Sequence, residues 1–128
     1  MKKQTVSSPE APKALGPYSQ AVRWGNLLFM SGQVGIDPLN GRLVEGGLEA
    51  QARQVFKNMA AVLAAAGGDL GCLLKTTVFL KDMANFKAVN EIYAAHVPDP
   101  FPARSALAVK DLPLAAEVEI EAIALIEG

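Results

Sequence analysis

The stretch from Pro100 to Ile126, PFPARSALAVKDLPLAAEVEIEAIALI, decides how the rest of the chain is read. Ser105, Leu107 and Val109 alternate with Arg104, Ala106, Ala108 and Lys110 before Asp111-Leu112-Pro113 breaks the pattern, so the segment reads as two strands around a turn. In the second strand Val118, Ile120, Ala122, Ala124 and Ile126 share one face. The other face carries Glu117, Glu119 and Glu121, then turns apolar at Ile123 and Leu125. Apolar residues on both faces of a strand imply cover on both sides, and Glu119 falls where that covered surface begins. Arg104 sits just after Pro102 on a face of small residues, where a ligand can approach a fixed cation without meeting other side chains. The plain alternative is that both are solvated surface ions, which add little to stability. A symmetric hairpin about Pro113 would set Glu119 opposite Ala108 and Arg104 opposite Ile123. Spacing alone therefore brings no site together.

Working outward, 128 residues suit one domain over 1–128 with a sizeable core, and 51% hydrophobic with 20% charged residues is ordinary globular composition. A formal net charge of −1 removes the electrostatic basis for non-specific binding to nucleic acid or an anionic membrane. The opening MKKQTVSSPEAP has no apolar run behind its lysines, so no secretory signal is read there, and the apolar run 59–66 is too short to span a bilayer. Cys72 is the only cysteine, which excludes an intrachain disulfide and points to a reducing, cytoplasmic setting. One cysteine and one histidine cannot make a zinc site of the usual kind.

The lead-in from Ser7 to Leu15 reads as irregular and closes at Gly16-Pro17-Tyr18. Ser19–Trp24 and Leu27–Met30 read as a hairpin about Gly25-Asn26. Ser31-Gly32-Gln33 ends it, either as a plain strand end or as a place where backbone approaches a ligand closely. Leu48, Ala52, Val55, Met59, Val62 and Ala66 form one apolar stripe, predicting a helix over 48–66 stopped by Gly67-Gly68. Leu73–Lys81 reads as a strand, and Asp82 caps a second helix to His96 on which Phe86, Val89, Asn90 and Tyr93 share a face. Asn90 there is either a satisfied core amide or a ligand contact. His96 reads as a solvated helix-end residue. Two helices can cover only one face of a sheet of five to six strands, which gives an α+β layer whose other face needs water or a partner. The apolar Ile123 and Leu125 argue for a partner, hence a homo-oligomer.

Taken together, Gly16-Pro17-Tyr18-Ser19-Gln20-Ala21, Ser31-Gly32-Gln33, QARQVFKN at 51–58, KTTVFLKD at 75–82, Val89-Asn90, FPARS at 101–105 and VEIEAIA at 118–124 resemble the RidA/YjgF family along nearly the whole chain. The resemblance implies a chorismate-mutase-like α+β fold, mostly antiparallel, assembled as a homotrimer with sites between subunits. It also implies hydrolysis of 2-iminobutanoate and 2-iminopropanoate to 2-oxo acids and ammonia, with no metal or organic cofactor. By matching position, Arg104 is implied to bind the substrate carboxylate and Glu119 to hold the attacking water. Tyr18, Ser31, Gly32 and Asn90 are implied to line or support the pocket, and the backbone at Ala106 to meet the substrate nitrogen. Many members have cysteine where this chain has Ala106, so regulation through a thiol there is not implied. Two rival readings are a non-catalytic carboxylate-binding or chaperone-like trimer and a ribonuclease or translation inhibitor. Glu119 favours catalysis over binding alone, and the near-neutral charge disfavours the nuclease.

Overall fold

The computed structural model describes residues 2–127. Eight strands and two α-helices occur among them: β1 (Gln4–Val6), β2 (Ala21–Trp24), β3 (Leu27–Gln33), β4 (Ile36–Asp37), β5 (Arg42–Leu43), α1 (Gly47–Ala65), β6 (Leu73–Leu80), α2 (Phe86–His96), β7 (Ala103–Ala108) and β8 (Val118–Leu125). Six strands form one sheet in the order β1-β2-β3-β8-β6-β7, while β4 and β5 pair separately. Every neighbour in the large sheet is antiparallel except β6 and β7, which run parallel.

The Gly25-Asn26 hairpin forms in the expected register, with Trp24 opposite Leu27. The α1 helix ends as its sequence foretells. Gly67 takes a left-handed φ of 90°, Gly67 N–H donates to the Ala64 carbonyl at 3.0 Å, and Gly68 N–H donates to Leu63 at 2.8 Å. Those two bonds are a Schellman stop, in which a residue without Cβ turns the chain at no steric cost. Asp82 caps as expected, its Oδ1 accepting from Ala84 N–H at 2.9 Å, but the first turn, Met83–Asn85, is a 3-10 turn that passes into α2.

The hairpin reading of Pro100–Ile126 is overturned. β7 and β8 do not touch as partners, because β6 lies between them: Val78 is opposite Ala106 on one side and Ile120 on the other. The connection 109–117 is longer than a hairpin loop of about 2–5 residues, and α2 provides the crossover that a parallel β6–β7 pair needs. Glu119 thus sits opposite Phe79 and Arg104 opposite Thr76.

Alternation along β8 is borne out. Val118, Ile120, Ala122 and Ala124 are buried beneath the helices with Leu28, Met30, Val78 and Leu80, and against Val55, Phe56, Met59, Val62, Val89 and Tyr93. The reverse face carries Leu27, Phe29, Leu107 and Leu125, all exposed. His96 is not a solvated end residue: its ring stacks on Phe56 with centroids 5.1 Å apart, and Nδ1 lies 2.8 Å from the Ile92 carbonyl oxygen.

Candidate functional site

The uncovered face of the sheet carries the first group of candidate residues. Between Met30 and Gln33 the β3–β8 register slips, so one extra residue bulges out of β3 at Ser31-Gly32. The motif ends the strand at Gln33, as expected, but through a bulge rather than as a plain strand end. The bulge presses the bare backbone of Gly32 against the Glu119 side chain. A Cβ on Gly32 would lie 2.8 Å from the Glu119 carboxyl carbon, closer than atoms pack, so only glycine leaves that carboxyl where it is.

Glu119 opens into a cavity of about 450 Å³ whose wall includes Lys13, Tyr18, Ser31, Gly32 and Pro113. Two fasteners bring the irregular lead-in over this cavity. The Gln20 side chain accepts from Ser8 N–H at 2.7 Å and donates to the Ser8 and Pro12 carbonyls at 3.1 and 2.9 Å. Ser31 Oγ donates to the Ser19 carbonyl at 2.6 Å, so this hydroxyl anchors the segment bearing Tyr18. Burial raises the Glu119 carboxyl above the ordinary glutamate value, and the charge of Glu121, two residues along the same face, raises it further.

The second group lies on the helix side of the sheet, at its β7 edge. Arg104 Nη1 donates to Asn90 Oδ1 at 2.7 Å, so the partly buried Asn90 amide is tied to the arginine beside it. The guanidinium lies over the Tyr93 ring at 4.9 Å and the Phe86 ring at 5.3 Å. Beside it is a hollow of about 440 Å³ lined by Asn90, Tyr93, Phe101 and Arg104 among others. Ala106 follows two positions along the same face of β7, partly buried against the core.

Within one chain the two groups do not meet. Thr76, the β6 partner of Arg104, is paired on its far side with Ala122, on the helix face. Glu119 belongs to the alternate set of β8 residues, on the reverse face. The sequence motifs thus divide into a carboxyl half on one side of the sheet and a guanidinium half on the other. Among the described residues no group of three or more His, Cys, Asp or Glu side chains stands close enough to hold a metal ion.

The comparisons with known proteins agree with these motifs. A family model described as Endoribonuclease L-PSP matches residues 8–126. The chain belongs to this family, RidA/YjgF. Reactive Intermediate Deaminase A, chloroplastic, from Arabidopsis thaliana is 52% identical over 97% of this chain, which spans 66% of that relative. The 2-iminobutanoate/2-iminopropanoate deaminase of Mus musculus is 48% identical over 96% of this chain and 91% of its own length. The crystal structure of RidA from an Antarctic Psychrobacter matches with a TM-score of 0.93 and 46% identity, covering 96% of this chain and 99% of the other.

Some RidA/YjgF motif residues prove to be fasteners. In the 51–58 segment, Gln51 Oε1 accepts from Glu117 N–H at 2.8 Å, and Asn58 Nδ2 donates to the Val34 and Ile36 carbonyls at 3.2 and 2.9 Å. Both side chains are buried and tie α1 to segments beside the Glu119 cavity. Periodicity alone set Gln51 off the apolar stripe. Lys13 was missed as a cavity residue because nothing in its local sequence says that the lead-in folds back over β3.

Proposed function

We propose that this RidA/YjgF protein is a 2-iminobutanoate/2-iminopropanoate deaminase, hydrolysing these reactive imines to 2-oxo acids and ammonia. The observation that carries the reading is the Glu119 carboxyl, half-buried in a cavity against the bare backbone of Gly32. A desolvated carboxylate is a stronger proton acceptor than one in water, and hydrolysis of a C=N bond needs an acceptor beside the attacking water. In this reading Arg104 takes the substrate carboxylate with its free N–H groups. Water adds through oxygen to the imine carbon while Glu119 accepts its proton. That proton passes to the imine nitrogen to give the neutral carbinolamine. The carbinolamine hydroxyl then gives its own proton, by way of Glu119, to the same nitrogen as the C–N bond breaks, so that ammonia leaves and the carbonyl forms. Tyr18, Ser31 and Gly32 bound the Glu119 cavity, Asn90 orients Arg104, and the Ala106 backbone borders the substrate nitrogen. The lone Cys72 suits a cytoplasmic setting.

Because the two halves of the site face opposite ways, we place the working pocket between subunits of a homotrimer, Arg104 from one chain meeting Glu119 of the next. The exposed apolar set Leu27, Phe29, Leu107 and Leu125 supports burial of that face against another copy. Light scattering is expected to give three times the chain mass at micromolar concentration, unchanged by reductant. A stable monomer would overturn the assembly.

The direct test of the activity couples a pyridoxal-phosphate-dependent dehydratase to serine or threonine and follows keto-acid release. Release should accelerate when this protein is added. An identical rate with and without it would rule the function out. A pH profile adds a finer check: activity should rise with pH as Glu119 ionises, its acid limb lying above the ordinary glutamate range. Glu121→Gln removes the second cause of the raised value, so the limb should move to lower pH with the plateau kept. An unmoved limb would detach it from Glu119.

A further inference from the structure

Arg104 stands on an edge strand and is exposed, a setting in which a long side chain ordinarily samples many rotamers. Three contacts oppose that freedom here, and only one of them is a hydrogen bond. Asn90 Oδ1 fixes one N–H at 2.7 Å. The rings of Tyr93 and Phe86, both from α2, lie against the guanidinium at 4.9 and 5.3 Å.

The Tyr93 ring is itself immobilised from two sides. Its hydroxyl lies 2.8 Å from Thr76 Oγ1, and both groups are buried. Thr76 is the β6 residue opposite Arg104 in the sheet, so the contacts close a circuit from Arg104 through β6 to Tyr93 and back. Behind, Phe56 meets the Tyr93 ring edge-on with centroids 5.7 Å apart. Phe86 is only partly buried and packs on the rim of the core.

We infer that Tyr93 and Phe86 are positioning residues, an aromatic cage that holds the Arg104 guanidinium so that its unbonded N–H groups face a carboxylate ligand. A guanidinium stacked on aromatic faces keeps all its in-plane donors free, because a π-face attracts the cation without consuming an N–H. Asn90 uses one donor and sets the rotation of the plane. A fork aimed before the ligand arrives loses less entropy on binding. The inference rests on the proposed deaminase reading for the substrate, while the cage itself is a matter of this chain's own residues.

The test uses Phe86→Leu, Tyr93→Leu and Tyr93→Phe, each alone and combined with Arg104→Ala, in the full chain. Phe86→Leu and Tyr93→Leu should raise KM for 2-iminopropanoate by about 3- to 30-fold, the range spanned by a cation over an aromatic face, with kcat within about twofold. Tyr93→Phe keeps the ring and should keep KM near wild type, although losing the bond to Thr76 lowers Tm. In the Arg104→Ala background none of the three should change KM further. Tyr93 is 4% exposed, so if Tyr93→Leu fails to fold, the rim residue Phe86 decides. A wild-type KM in Phe86→Leu, or the same rise with and without Arg104, would overturn the cage.

Calorimetric titration with 2-oxobutanoate separates this result from the deaminase reading, since it needs no turnover. Weaker binding in Phe86→Leu alongside an inactive wild type would sink the activity and leave the cage standing. Normal turnover with unchanged 2-oxobutanoate binding in Phe86→Leu would do the reverse. If the wild-type protein did not bind 2-oxobutanoate at all, the anchor role of Arg104 and the cage would fall together.

Discussion

Arg104→Ala is expected to leave a folded assembly whose kcat/KM on 2-iminopropanoate falls by about 30- to several-thousand-fold, chiefly through KM. Truncating one partner of a desolvated, hydrogen-bonded charge pair costs about 2–5 kcal/mol. The fold should survive because the guanidinium is exposed and its one hydrogen bond is to the partly exposed Asn90, so no buried group loses a partner. Arg104→Lys should recover little. A lysine ammonium cannot bond Asn90 and present two parallel N–H groups to a carboxylate in the same plane. The measurement is steady-state kinetics beside light scattering and thermal melting of each variant. A wild-type kcat/KM in folded Arg104→Ala would remove the carboxylate anchor, and rescue by Arg104→Lys would reduce it to a point charge.

That separation of fold from site also explains what the sequence could and could not say. The β2–β3 hairpin and α1 were legible because their signals are local: Gly-Asn between two apolar runs, and a stripe of period 3.6 closed by Gly67. The faces of β8 were legible for the same reason, since strand alternation needs no knowledge of neighbours. The pairing of β7 was not. An apolar run, a Pro-containing break and a second apolar run give the same local pattern in a hairpin as in two strands with a third inserted between them. Only the non-local β6–β7 ladder distinguishes these, and its partners Thr76 and Arg104 are far apart in sequence. The strand β1 escaped likewise because it exists only through its ladder with β2, and the fold-back that brings Lys13 over the Glu119 cavity because it depends on Gln20 reaching Ser8 and Pro12. Motif resemblance named Arg104 and Glu119 together. It could not reveal that one chain carries them on opposite sides of its sheet.

Glu119→Gln carries the other large effect, and two measurements on it should move in opposite directions. Glutamine matches the carboxyl in shape and can still fill the space beside Gly32, so the subunit should fold and bind 2-oxobutanoate as wild type does. It cannot accept a proton from water. Losing general-base assistance lowers kcat by about 10²–10⁴-fold. Stability should change the other way. Burial and the Glu121 charge raise the folded-state value of Glu119 above its unfolded one, so between those values the folded chain holds more protons than the unfolded chain. Wild-type stability therefore declines as pH rises from the ordinary glutamate range through the raised value, and the cost of an ionised Glu119 is full above it. Glu119→Gln has no such charge. It should melt at a higher temperature than wild type near neutral pH, and the difference should vanish in acid, where Glu119 is protonated in both states. Thermal melts across pH, paired with single-turnover rates on 2-iminobutanoate, read both effects in one protein. A variant that turned over normally would end the water-activating role. One that lost turnover while melting below wild type at neutral pH would have lost structure, and its slow rate would say nothing about proton transfer.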